Sequence, residues 1–264
     1  MHTLQIVADG TPGGGTTNVL ALSEDLLEMG HRVSFCCQRG SYAMQSAARL
    51  GAGTGAGIDF FRGRLATQPV LDVDAMVSEL RPDVVHVHGG RAGLAFVRRA
   101  AAKFSGATVY TVRGYHFLRK GVVMRRLAAN AERFISHRID RTVHVCHYDQ
   151  QLADRWRFLR QPSSSAVIHN GIRLADIPFT SDQVDRRHVA VLGRLTRQKT
   201  RLLVLRIAAL LRDDGFVVHL IGGGHMQERL QSRKSVPGSR NDQLNGAPLR
   251  RAKCSRTCCI DHLR

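Results

Sequence analysis

The stretch LQIVADGTPGGGTTNVLALSEDLLEMGHRVSFCC (residues 4–37) decides the fold class. LQIVAD (4–9) is a short apolar run and reads as a β-strand. TTNVLALSEDLLEMG (16–30) repeats its apolar residues at helical spacing and ends at Gly30, where a helix C′ residue takes a left-handed conformation. RVSFCC (32–37) is a second strand. Strand, glycine-rich turn, helix and strand in that order form a βαβ unit, which implies a parallel pair.

The alternation continues outward. YAMQSAARL reads as a helix, GIDFF as a strand, LDVDAMVSEL as a helix, DVVHVH as a strand and RAGLAFVRRAAAK as a helix. ATVYTV, a helical stretch over 121–138, RTVHVC, a helix near 148–158 and AVIHN follow. Near-continuous apolar strands fit a sheet covered on both faces. Polar RLADIPFTSDQVDRR (173–187) breaks the pattern and reads as a linker. HVAVLGRL, KTRLLVLRIAALLRDDG, FVVHLIGGG and the start of a helix at HMQERL then restart it. The expected fold is α/β: a complete doubly wound Rossmann-like domain over 1–172, a partial second one over 188–230, and a tail over 231–264 expected to be disordered.

Composition narrows the class. A 264-residue chain with 43% hydrophobic residues can bury a core. No apolar run approaches the ~20 residues of a membrane span, and MHTLQIVADG is too soon polar for a signal peptide. A cytoplasmic protein is expected, peripheral at most to the inner face of the membrane. Cys36, Cys37 and Cys146 read as buried thiols. The formal charge of +18 implies an anionic neighbour or a solvated basic surface. Residues 231–264 carry eight Lys/Arg against two Asp. Nucleic acid is disfavoured as a partner, since aromatic residues are only 6% and no recognition motif is present. Cys254, Cys258, Cys259 and His262 are poorly spaced for zinc, so no metal is expected.

Ligands of open α/β sheets sit at the carboxyl ends of strands and at helix N-termini, and the chemistry-bearing residues cluster there. ADGTPGGGTTN (8–18) lets backbone N–H groups approach a ligand at Gly13, Gly14 and Gly15, but it is neither a Walker loop nor a clean dinucleotide fingerprint. DVVHVHGGRAG (83–93) puts His86 and His88 on one face of a strand. VYTVRGYHF (109–117) places Arg113 and His116 in the next loop, where His116 can exchange protons near neutral pH. FLRKGVVMRRLAANAERFISHR (117–138) is a basic amphipathic helix whose Val123, Leu127, Ala131, Phe134 and Ile135 can share one face. It suits either core packing or docking on an anionic membrane. In VLGRLTRQKT (191–200), Arg194 offers a planar fork and Lys199 a point charge between a strand and a helix, a cluster suited to a diphosphate.

Taken in order, the glycine-rich loop, DVVHVH with RAG, YT-x-x-G-[FY]-H-F, NGI, GRL-x3-K and LIGGG resemble a family 4 glycosyltransferase of the GT-B fold, over roughly residues 3–230. The resemblance is to bacterial members that build surface polysaccharide or lipopolysaccharide. It implies a retaining, metal-independent transferase that moves a sugar from a nucleotide-sugar to a saccharide acceptor, often lipid-linked. It also implies that Arg194 and Lys199 hold the donor diphosphate, with Gly14 and Gly15 beside it, and that His88, Arg113 and His116 belong to the cleft. The chain departs from the family pattern in three ways. Arg113 stands where a histidine is usual, NGIR replaces NGID, and no two glutamates have the E-x7-E spacing of the family's second domain. The tail is expected to be a foreign reading of the gene's end. Weak or absent transferase activity follows as an expectation, and the rival reading is a basic fragment that only binds a membrane or an anion.

Overall fold

The structure is a computed structural model that describes residues 1–54, 57–61, 67–115, 117, 121–173, 187–193, 195–196, 201–212, 214–224, 226 and 259–263. His116, Arg194 and Lys199 lie outside the described residues, as does nearly all of the 173–187 linker. The chain divides into two compact units, Met1–Leu174 and Ala175–Arg264.

The first unit is built on seven strands: β1 (His2–Val7), β2 (Arg32–Cys37), β3 (Gly53–Thr54), β4 (Val84–His88), β5 (Ala107–Val112), β6 (Arg141–His144) and β7 (Ser165–Val167). They form one sheet in the order β3-β2-β1-β4-β5-β6-β7, and every pair is parallel. Six helices connect them: α1 (Gly14–Glu28), α2 (Tyr42–Arg49), α3 (Gln68–Leu80), α4 (Gly90–Val97), α5 (Val122–Ser136) and α6 (His147–Arg155). Gly30 has φ 78°, the left-handed stop expected from its place after α1.

Strand alternation feeds two cores. Leu4, Ile6, Val85, Val87, Tyr110 and Val112 point to one face and pack with Met76 and Val77 of α3, Phe96 of α4 and Ile135 of α5. On the other face Val7, Val33, Phe35 and Cys37 pack with Val19 of α1 and with Ala43 and Ala47 of α2. A fully buried side chain such as Phe35 or Phe96 contributes about 1.5–3 kcal/mol. Both faces are therefore covered, as an all-parallel sheet requires.

Three local expectations are corrected. GIDFF is not a strand: Ile58 makes one parallel bridge to Gln38, and β3 lies earlier, at Gly53–Thr54. The Gln38 side chain explains the change, since its amide oxygen accepts from Phe60 N at 2.9 Å and its amide donates to Asp59 Oδ1 at 3.0 Å. These bonds take the place of a ladder. RAGLAFVRRAAAK is helical only to Val97, and a 3-10 turn at Ala100–Ala102 follows. Cys146, expected to be buried, is half-buried, because β6 ends at His144 and Cys146 stands at the residue before α6, past the end of the strand.

The second unit contains β8 (His188–Leu192), α7 (Arg201–Leu211) and β9 (Val217–Ile221), with β8 and β9 parallel. The tail, expected to be disordered, contributes β10 (Cys259–Leu263), which pairs antiparallel with β9. Leu203, Ile207 and Leu210 of α7 are exposed. Among the described residues no helix is long and apolar enough to cross a membrane.

Candidate functional site

From β1 the chain winds outward through β2 and β3, then returns to the other side of β1 and continues through β4 to β7. The switch point lies between β1 and β4, where a crevice opens at the carboxyl edge of the sheet. The glycine loop leaves β1 there, Gly89 leaves β4 and Arg113 leaves β5.

The loop is shaped by its own side chains. Asp9 Oδ1 accepts from Thr11 N at 3.2 Å and from Thr11 Oγ1 at 2.7 Å, and Thr16 Oγ1 donates to Thr11 O at 2.7 Å. Gly10 is held closely: a Cβ there would meet Ser41 Cβ at 2.6 Å. Gly13 and Gly14 have nothing within 4 Å of such a Cβ, and at Gly15 the nearest atom is Arg113 Cδ, at 3.9 Å. The protein's own packing therefore demands glycine at 10 but not at 13–15. Helix α1 starts at Gly14 with no acidic residue in its first turn and no side-chain cap. Its N-terminal N–H groups and dipole favour an anion.

Beside the loop lies a buried polar row on a sheet face that is otherwise apolar. The register sets Gln5 opposite His86, and Val7 and Thr111 opposite His88. His86 and His88 stack with ring centroids 4.0 Å apart. His86 Nε2 and Thr111 Oγ1 are 2.7 Å apart. Arg113 Nη2 donates to His88 Nδ1 at 3.1 Å, so that nitrogen carries no proton. The single proton of neutral His88 then sits on Nε2 and is donated to Gln5 Oε1 at 2.7 Å. The electrostatics agree. Burial first, then the neighbouring His86 and Arg113, hold His88 well below the usual imidazole range. Burial and Arg113 bring His86 down to about 3.

Arg113 is the cation of this row. Nη1 donates to Asn170 Oδ1 at 3.1 Å, while Nε is buried without a hydrogen-bond partner among the described residues. Burial lowers its pKa to about 10, so it stays charged at neutral pH. No carboxylate among the described residues is within ion-pair distance of it.

The sequence-derived residues are thus partly united: Gly14, Gly15, His88 and Arg113 share the switch-point crevice. Gln5 and Asn170 join them and were missed. A glutamine inside an apolar strand was the available signal for Gln5. Asn170 read only as a turn. The arginine of NGIR also has a partner set, for Arg173 forms ion pairs with Glu24, Asp25 and Glu28 of α1. Glu132 of α5 accepts from Tyr110 Oη at 2.7 Å. A side chain at Gly90 would meet the same carboxylate at 2.8 Å. Among the described residues no group of three or more His, Cys, Asp or Glu is arranged to hold a metal ion.

Helix α5 divides its apolar residues. Ala129 and Ile135 are buried, but Val122, Val123, Met124 and Leu127 are 65%, 71%, 44% and 57% exposed. The single shared face expected of Val123, Leu127 and Ile135 is therefore split, because only the C-terminal half of α5 reaches the core. Its N-terminal half shows an apolar patch with Arg126 exposed beside it.

A seven-stranded doubly wound unit followed by the start of a second α/β unit defines a GT-B-like glycosyltransferase fold. The sequence model of Glycosyltransferase Family 4 matches residues 12–176, and the chain belongs to that family. No curated protein sequence matches it. HepE of Anabaena, solved in complex with UDP-glucose, is similar in structure at a TM-score of 0.70 and 14% identity, over 89% of this chain and 64% of that one. A glycosyltransferase from Rickettsia africae aligns at 0.60 and 13% identity, over 88% and 63%. A putative UDP-N-acetylglucosamine 2-epimerase from Listeria monocytogenes aligns at 0.56 and 11% identity, over 88% and 65%. The chain thus spans just under two thirds of the length of these structures. At such identities the likeness shows the fold alone, and the epimerase illustrates that the fold hosts more than one reaction.

Proposed function

We propose that the protein is a nucleotide-sugar-dependent glycosyltransferase of the retaining type, acting on a saccharide acceptor linked to a lipid in bacterial surface polysaccharide synthesis. One observation carries the reading: the family-matched segment gathers Gly14, Gly15, His88 and Arg113 at the switch point of its sheet, beside an uncapped helix N-terminus. The donor diphosphate is assigned to Arg194 and Lys199, whose fork and point charge stabilise a leaving diphosphate without a metal. His116 is proposed as a cleft residue that exchanges protons with the acceptor. The Anabaena protein's UDP-glucose makes a uridine diphosphate sugar the first probe. The expected result is UDP-glucose binding that Arg194→Ala weakens about tenfold or more, the loss of one charge-assisted contact. Failure of the chain to bind any uridine or guanosine diphosphate sugar would remove the proposal. Turnover is expected to be weak, because the family's E-x7-E pair is not found in this sequence.

The acceptor's lipid is reached through α5. The exposed Val122, Val123, Met124 and Leu127, next to basic residues on a chain of net charge +18, suit an anionic membrane surface. Each basic residue near such a surface contributes about 1 kcal/mol. Vesicle flotation is expected to favour phosphatidylglycerol over phosphatidylcholine, and Leu127→Glu is expected to reduce that binding at least fivefold. Equal flotation with both lipids would exclude the docking role.

A further inference from the structure

Arg113 is the least explained charge in the first unit. Its departure from the family's histidine puts a guanidinium where an imidazole is usual, and the structure surrounds that guanidinium with neutral acceptors only. Nη2 is held by His88 Nδ1 and Nη1 by Asn170 Oδ1. Five N–H donors are available to an arginine. Two are used here, and each terminal nitrogen keeps one more. A desolvated cation that no carboxylate neutralises among the described residues is costly unless an anion completes it. The nearest acid along the loop, Asp9, uses Oδ1 to accept from Thr11 N and Oγ1.

The neighbouring backbone points the same way. Gly15 lies against Arg113 Cδ, and the space over Gly13 and Gly14 is open. Among the described residues no acceptor engages the N–H groups of Gly14, Gly15 or Thr16. Side chain and helix terminus thus supply donors on two sides of one space.

We propose that Arg113 is a substrate-binding residue of the first unit, taking a pair of phosphoryl oxygens of a diphosphate between its guanidinium and the start of α1. His88, Gln5 and Asn170 are positioning residues that hold the guanidinium in place. The diphosphate belongs either to the nucleotide-sugar donor or to a lipid-linked acceptor. The inference rests on the transferase reading for the identity of the ligand, not for the site.

Titration calorimetry of the full chain with inorganic pyrophosphate, UDP-glucose and farnesyl diphosphate tests it. Arg113→Gln is expected to weaken pyrophosphate at least tenfold, and Arg113→Lys to fall between, since lysine keeps the charge but not the fork. A deficit confined to UDP-glucose or to farnesyl diphosphate supports the contact and assigns it to donor or acceptor. Unchanged affinity of the Gln variant for all three probes overturns the inference, as does failure of the wild-type chain to bind any of them. Should the Gln variant not fold, the Arg113 Nε–H resonance of the wild-type chain decides: it shifts on adding pyrophosphate, and an unmoved resonance overturns the contact. Loss of UDP-glucose binding in Arg194→Ala, with Arg113→Gln unchanged toward all three probes, would sink this inference and leave the transferase reading standing. Arg113-dependent pyrophosphate binding without any nucleotide-sugar binding would do the reverse.

Discussion

Lowering the pH from 7 to 5 is expected to reduce the Tm of the chain by at least about 4–8 °C. The reason is the neutral histidine row. Burial brings His86 down to about 3 in the folded state, against an ordinary value of 6.5. His88 is also held well below 6.5 by burial, and His2 and His144 are lowered mainly by burial. Between pH 6.5 and about 3 the unfolded chain binds protons that the folded chain refuses. Stability is therefore fully present above about 6.5 and is lost as the pH falls. For His86 alone the loss at pH 5 is about 2 kcal/mol, and for a unit of this size each kcal/mol moves Tm by about 2–4 °C. His88 adds to this. Among the described residues no group with a resolved shift opposes the trend in this window: Asp74, also lowered, acts below its ordinary 3.8, and Cys36 and Cys37 act above 9. Replacing His86 by Gln should shrink the difference between the two pH values. A Tm that does not move between pH 7 and 5 would show that these imidazoles are not buried neutral.

The second large effect separates binding from folding. Gly14→Ala and Gly15→Ala are expected to leave Tm unchanged or slightly raised, because the added Cβ meets nothing within 4 Å at 14 and only an ordinary contact at 15. Alanine is also favoured over glycine in a helix, by up to about 1 kcal/mol. The same methyl stands over N–H groups assigned to the diphosphate, so UDP-glucose affinity is expected to fall at least tenfold. Gly10→Ala is the internal contrast. Its Cβ overlaps Ser41, whose hydroxyl accepts from Met44 N at the start of α2. Displacing that cap costs about 1–2 kcal/mol. Comparable Tm losses in all three variants would mean that the 13–15 loop is packed rather than open.

Which parts of this were legible beforehand follows from the range of the forces. Hydrophobic period and glycine placement act over a few residues, so β1, α1, β2 and the stop at Gly30 could be read directly from residues 4–37. The same local reading failed at GIDFF. The bonds that replace the strand ladder there come from one side chain about twenty positions earlier, Gln38. Site residues divide in the same manner. Gly14, Gly15, His88 and Arg113 announce themselves by sitting after strands. Their partners do not: Gln5 is 83 positions from His88, and Asn170 is 57 from Arg113. Pairs so far apart meet only because β1, β4, β5 and β7 deliver their ends to one sheet edge. Arg173 is the extreme case, 148 positions from Asp25. The split face of α5 has a related cause, since how far along a helix the core extends depends on what packs against it.

The account stands or falls on the switch-point crevice of the first unit holding a sugar-nucleotide diphosphate. The direct measurement is a titration of the uniformly 15N-labelled full chain with UDP-glucose, read at the backbone amides. Saturable shifts are predicted at Gly13, Gly14, Gly15 and Thr16, with β2 and β3 unmoved. Saturable shifts confined to other parts of the chain, or none at all, would contradict it.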